Sequence, residues 1–153
     1  MADVTRIINE MNFLLTSQNV PVTKVQRINN DDLIWKVVFD GPEECAYEGG
    51  IFTVKFIFPK EYPIKGPEAR FMTKMFHPNV DPGNDQHICI NLLNKWDPNR
   101  TIEDVILGIF DLMLNPVTAG AYSNEASGLL GQDPDKYYDK VEEYTIQYAN
   151  KEC

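Results

Sequence analysis

Residues 51–58 read IFTVKFIF. Phe52, Val54, Phe56 and Phe58 alternate with Ile51, Thr53, Lys55 and Ile57, so four large apolar side chains share one face of a strand. Such a face needs a cover, and the flanking sequence supplies it. Upstream, LIWKVVFD at 33–40 reads as a second strand and Thr23–Ile28 as a weaker one, while Glu68–Met72 fits a fourth. Asn29-Asn30-Asp31-Asp32 and Gly49-Gly50 carry turn chemistry between them. Consecutive strands on short loops are most simply arranged as an antiparallel meander.

The cover comes from both ends. From Asp3 to Ser17, Val4, Ile7, Ile8, Met11, Leu14 and Leu15 recur at the helical period, and Asn19–Pro21 ends the run. Downstream, Thr101 and Asp104 form a capping-box pattern ahead of IEDVILGIFDLML, a helix apolar on nearly all sides and therefore expected to be central and buried. Asn115-Pro116 stops it. Ser123 is placed to cap a short helix ending at Gly131, and Asp133-Pro134 opens a last helix striped by Tyr137, Val141, Tyr144 and Tyr148. Strands followed by helices give an α+β fold. Its order is an N-terminal helix, a four-stranded antiparallel meander, a turn-rich loop, a buried central helix and two C-terminal helices, in one domain over residues 1–153.

Composition narrows the function. A net charge of −9 argues against nucleic acid or an anionic membrane as the main partner. No apolar run is long enough to span a bilayer, and MADVTRIINE does not read as a signal peptide. The three cysteines, Cys45, Cys89 and Cys153, are an odd number without zinc-ligand spacing. They read as reduced thiols of a cytoplasmic or nuclear protein, with no metal. The acidic residues between Glu125 and Cys153 read as a solvated helix face.

The chemistry concentrates in FHPNVDPGNDQHICINLLNKW, residues 76–96. A coil of Pro, Gly, Asn and Asp precedes Cys89. From composition alone Cys89 is more readily an inert buried thiol than a nucleophile. Other short words recur around it in order: Gly41-Pro42, Tyr47-Glu48-Gly49-Gly50, Phe58-Pro59, Tyr62-Pro63 with Gly66-Pro67, His77-Pro78-Asn79, Ile88-Cys89-Ile90-Asn91 and Trp96-Asp97-Pro98. With the order of elements, these words make the chain resemble the ubiquitin-conjugating enzymes over nearly its whole length.

The resemblance implies a carrier of ubiquitin, or of a ubiquitin-like modifier, held as a thioester on Cys89. An activating enzyme that uses ATP loads it, and a RING- or HECT-type ligase helps pass the modifier to a lysine of a substrate protein. No cofactor of its own is implied. The loop before Cys89 then shapes a shallow groove for the modifier's tail. Asn79 would either stabilise the oxyanion or order the loop, and His77 and Pro78 would hold that loop. His87 reads as an exposed loop residue. Ile64 and Pro98 fall on the ligase-binding surface, although Ile64 also suits ordinary core packing. Arg6 falls on the helix that meets the activating enzyme.

The chain departs from the family pattern in several ways. The segment from Asn79 to Cys89 is longer than in common members and the one from Cys89 to Trp96 shorter. Asn91 stands where many ubiquitin carriers have Asp. The first helix carries Arg6 as its lone basic residue. No acid lies between Asn115 and Asn124 in NPVTAGAYSNEA, and the position of the family's acid that helps deprotonate the incoming lysine falls on Gly120. Asp81, leaving the HPN turn, is the candidate substitute, with Asp85 the runner-up. Either is otherwise a solvated turn residue. A noncatalytic binding variant of the same fold is the alternative of a different class, but such variants typically lack the cysteine.

Overall fold

The computed structural model describes residues 2–149, so Cys153 lies outside the described residues. The order is α1 (Val4–Leu14), β1 (Val22–Ile28), β2 (Asp31–Asp40), β3 (Ile51–Ile57), β4 (Glu68–Phe71), α2 (Asn91–Asn94), α3 (Ile102–Leu114), α4 (Asn124–Gln132) and α5 (Pro134–Tyr148). The four strands form an antiparallel sheet in the order β1-β2-β3-β4. The α+β meander expected from the patterning is the observed fold.

The alternation at 51–58 does what the pleat requires. Phe52, Val54 and Phe56 are buried, and one row of paired residues, Val25, Val37, Val54 and Phe71, crosses all four strands. Onto this face α1 brings Ile7, Met11 and Leu14, and α3 brings Ile102, Val105, Ile106, Ile109 and Met113. Each fully buried side chain of this size stabilises the fold by roughly 1.5–3 kcal/mol before conformational entropy is subtracted.

Four details differ from the sequence reading. The first hairpin turns on Asn29-Asn30 alone. Both are left-handed (φ 56° and 57°), so Asp31 pairs with Ile28 and joins β2 with Asp32. Asparagine tolerates that conformation, and the two-residue turn matches the twist of the strands. The first helix ends at Leu14, short of Ser17, because the amides of Leu15, Thr16 and Ser17 fold back onto the carbonyls of Asn12 and Phe13. The central helix is buried on one side only, since Leu107 and Leu114 reach solvent. The α5 stripe runs through Tyr137, Val141 and Thr145, while Tyr148 lies exposed with the Lys74 ammonium over its ring. The capping box of Thr101 with Asp104 and the caps of Ser123 and Asp133 form as expected.

Candidate active site

The site is assembled from the loop between β4 and α2 and the segment after α3. His77 is its internal post. Its Nε2–H donates to the Leu112 carbonyl of α3 at 2.6 Å, and its Nδ1 accepts the Asn79 amide at 3.0 Å. A nitrogen against a carbonyl must carry the proton and one receiving an amide must not, so the two bonds together select the tautomer. Burial pushes the His77 pKa down to about 4, against a smaller upward pull from the Leu112 carbonyl.

Pro78 and Asn79 tie this turn to the chain beyond α3. The Pro78 carbonyl accepts the amides of Tyr122 at 2.8 Å and Ser123 at 3.0 Å. The Asn79 side chain forms a two-bond ring with Val117: its Nδ2 donates to the Val117 carbonyl and its Oδ1 accepts the Val117 amide, both at 2.9 Å. The Asn79 carbonyl in turn receives the Cys89 amide at 2.8 Å. One buried asparagine thus fixes both the backbone of the cysteine and the loop facing it.

The longer segment between Asn79 and Cys89 is pinned by Gln86, a buried residue with φ +47°. Its amide donates to the carbonyls of Phe71 and Thr73, and its Oε1 accepts the Met75 amide. His87 is half-buried rather than exposed, because its backbone bridges to Arg70 and its carbonyl accepts the Asp81 amide.

Cys89 is a free, half-buried thiol. Beside it Asp81, His87 and Tyr122 line an open recess of about 480 Å³. The Tyr122 hydroxyl and the Cys89 thiol are neighbours across the site. The phenol's pKa is raised by desolvation first, then by Cys89 and by Asp81. One Asp81 carboxylate oxygen accepts the Gly83 amide at 2.9 Å, which holds the side chain over the turn. Asp85 instead pairs with Arg70 at 3.3 Å, and Gly120 sits in the left-handed region (φ +67°) with open space around it. Cys45 has a different setting: its thiol donates to the Pro42 carbonyl at 3.0 Å, and burial pushes its pKa up.

The loops that carry Ile64 and Pro98 meet at Trp96. Ile64 is 71% exposed, which overturns the core-packing alternative, and Pro98 is also exposed. Trp96 joins their loops by donating its indole N–H to the Pro63 carbonyl at 2.8 Å. Its ring lies so close to Gly66 that a Cβ there would fall 2.6 Å from the indole. Arg6 is tied down. It pairs with Glu10 at 2.9 Å, donates to the Arg100 carbonyl at 2.8 Å and lies over the Tyr62 ring.

Sequence reasoning overlooked Tyr122, Gln86, Val117 and the short helix α2. Val117 and Tyr122 act across the site through a backbone group and a side chain brought in from beyond α3. Their one local signal is that Tyr122 directly precedes the capping Ser123.

The comparisons agree with this geometry. A solved structure, the E2 domain of a Toxoplasma gondii ubiquitin conjugating enzyme, matches with a TM-score of 0.85 at 26% identity, covering 95% of this chain and 98% of that one. The chain is 34% identical over 131 residues to a protein named ubiquitin-conjugating enzyme E2 6 from Arabidopsis thaliana, spanning 84% of this chain and 71% of that protein. The family model described as ubiquitin-conjugating enzyme matches residues 6–145, a span that runs from α1 into α5 and takes in the whole loop around Cys89. The chain belongs to the ubiquitin-conjugating enzymes, a family of transferases.

Proposed function

We propose that this enzyme carries ubiquitin as a thioester on Cys89 and passes it to a lysine or to a ligase, in the cytoplasm or the nucleus. The observation that carries the reading is the contrast between its two described thiols: Cys89 neighbours Tyr122 and the recess that Tyr122 lines with Asp81 and His87, whereas Cys45, which lines a recess of its own, is spent on a backbone carbonyl. In loading, the Cys89 thiolate attacks the modifier's carbonyl on the activating enzyme, a C–S bond forms, and the activating enzyme's thiolate leaves. The activating enzyme, not this chain, uses ATP. In transfer, a lysine amine attacks the same carbonyl and the Cys89 thiolate leaves. Ile64 and Pro98 offer a RING- or HECT-type ligase an exposed apolar pair on loops that Trp96 makes rigid.

Asp81 serves as the acid's substitute. It borders the same recess as Tyr122, while Asp85 is engaged by Arg70. A carboxylate there orients an alkylammonium and takes its proton, which matters because a lysine of pKa ~10.4 is almost wholly protonated at neutral pH. Asp81→Asn is expected to slow single-turnover discharge onto free lysine about tenfold, a loss of ~1.4 kcal/mol in transition-state stabilisation, with charging unchanged. Discharge at the wild-type rate would remove Asp81 from the mechanism.

A second reading, a carrier dedicated to another ubiquitin-like modifier, is favoured by the first helix. Arg6 is its lone basic residue and is already bonded to Glu10 and Arg100, so α1 offers an activating enzyme little free positive charge. Charging with ubiquitin by a generic ubiquitin-activating enzyme is expected to show a high apparent KM. The assay combines the chain, ATP and each activating enzyme with its own modifier, read on a nonreducing gel. A reducible ubiquitin adduct supports the first reading. Adduct formation with another modifier alone supports the second. Failure with every modifier would leave a noncatalytic binding module.

A further inference from the structure

We propose that the Tyr122 hydroxyl, and not the Asn79 amide, donates the hydrogen bond to the thioester carbonyl oxygen at Cys89 as that oxygen takes on negative charge. The proposal rests on the reading of Cys89 as the carrier. A donor to a developing oxyanion must be unspent, close to the acylated sulfur and already fixed in place. Asn79 fails the first of these. Both ends of its amide are bonded to Val117, it is 3% exposed, and turning it toward an acyl group on Cys89 would break both bonds and release the Val117 backbone.

Tyr122 meets all three. Its side chain lines a recess with Asp81 and His87, its hydroxyl neighbours the Cys89 thiol, and the Pro78 carbonyl that holds its amide is next in the chain to Asn79, whose carbonyl holds the Cys89 amide. It is 46% exposed, which leaves room for an acyl group to lie against the ring. Its backbone is held between two anchors: its own amide and that of Ser123 converge on the Pro78 carbonyl, and Ser123 Oγ accepts the Ala126 amide to cap α4. The groups facing the phenol are Cys89, Asp81 and His87. Desolvation, then Cys89 and Asp81, raise its pKa further above the ordinary value, so the O–H is intact at neutral pH.

The step balances without an added reagent. The neutral amine forms the C–N bond, and the carbonyl π electrons move to oxygen, which accepts the Tyr122 O–H bond without taking the proton. Collapse restores the carbonyl, breaks the C–S bond and releases the Cys89 thiolate. The surplus proton on nitrogen passes to Asp81 or to water.

The test is single-turnover discharge of the purified thioester of the full chain, comparing wild type with Tyr122→Phe, which keeps the ring and removes the O–H. Lysine and hydroxylamine serve as acceptors, the latter small and neutral. A donor to the carbonyl acts on either attack, so discharge is expected to fall about tenfold with both, at an unchanged melting temperature. Loss with lysine alone would overturn the proposal by moving Tyr122 to acceptor binding. Wild-type discharge by a normally charged Tyr122→Phe would also overturn it and leave the Cys89 reading intact. Failure of the unmodified chain to form any Cys89 thioester would remove both. In parallel, Asn79→Ala is expected to lower the melting temperature. If it charges normally, melts like wild type and discharges slowly, the donor is Asn79 and the proposal fails.

Discussion

Cys89→Ala is expected to leave no reducible modifier band after incubation with an activating enzyme, ATP and modifier under conditions that charge the wild type. The effect is all or none. Thioester formation needs a sulfur that attacks as a thiolate and later departs as one. Among the described residues the other thiol, Cys45, points at the Pro42 carbonyl and has its pKa raised by burial. Cys89→Ser should form a slower but persistent oxyester, resistant to reductant and cleaved by base, because an alkoxide is a far poorer leaving group than a thiolate. Any reducible band from Cys89→Ala would move the carrier role elsewhere. An oxyester with Cys89→Ser would show that position 89 itself receives the acyl group.

The second large effect is on stability. His77 is held neutral, with a pKa of about 4 in the folded chain, against roughly 6.5 when unfolded. Between those values the unfolded chain binds the extra proton, so stability rises with pH and is lost as pH falls from about 6.5 toward 4. From neutral pH to pH 5 this amounts to about 2 kcal/mol. The molecular cost is visible in the geometry: a proton on Nδ1 would face the Asn79 amide, donor against donor, at the turn that holds the cysteine's backbone. Urea unfolding at neutral pH and at pH 5 measures the loss. A His77→Gln variant should be less stable at neutral pH but flatter over this range. If wild type and His77→Gln lose stability in parallel on acidification, the other titrating groups account for the acid sensitivity and His77 does not.

Much of the fold was legible because its determinants are local. Alternation at 51–58 fixes which face of β3 is inside, and the capping box at Thr101 fixes where α3 begins. Errors arose where a local rule had two solutions. Four turn-forming residues at 29–32 are more than a two-residue hairpin needs, and Asn29-Asn30 took the turn because both accept the left-handed conformation. The site was legible along the chain and illegible across it. HPN and the cysteine stand in one stretch, so their neighbourhood could be read. That the Asn79 amide is consumed by Val117, and that Tyr122 closes the recess, depends on where the chain returns after α3, which no spacing encodes.

The stitching around Gln86 also sets where this chain tolerates change in length. Val80 bridges to Ile88, the Asp81 amide bonds the His87 carbonyl, and Gln86 is sewn to the carbonyls of Phe71 and Thr73, whereas residues 82–85 between these ties are exposed. Residues added at the tip enter a loop whose ends are already fixed, and each doubling of such a loop costs only about 0.6 kcal/mol in closure entropy. A fluorophore-bearing or epitope insert between Gly83 and Asn84 therefore provides a reporter beside the thiol that leaves the anchors of Cys89 in register, and the same four residues form a natural outlet for evolutionary drift in loop length.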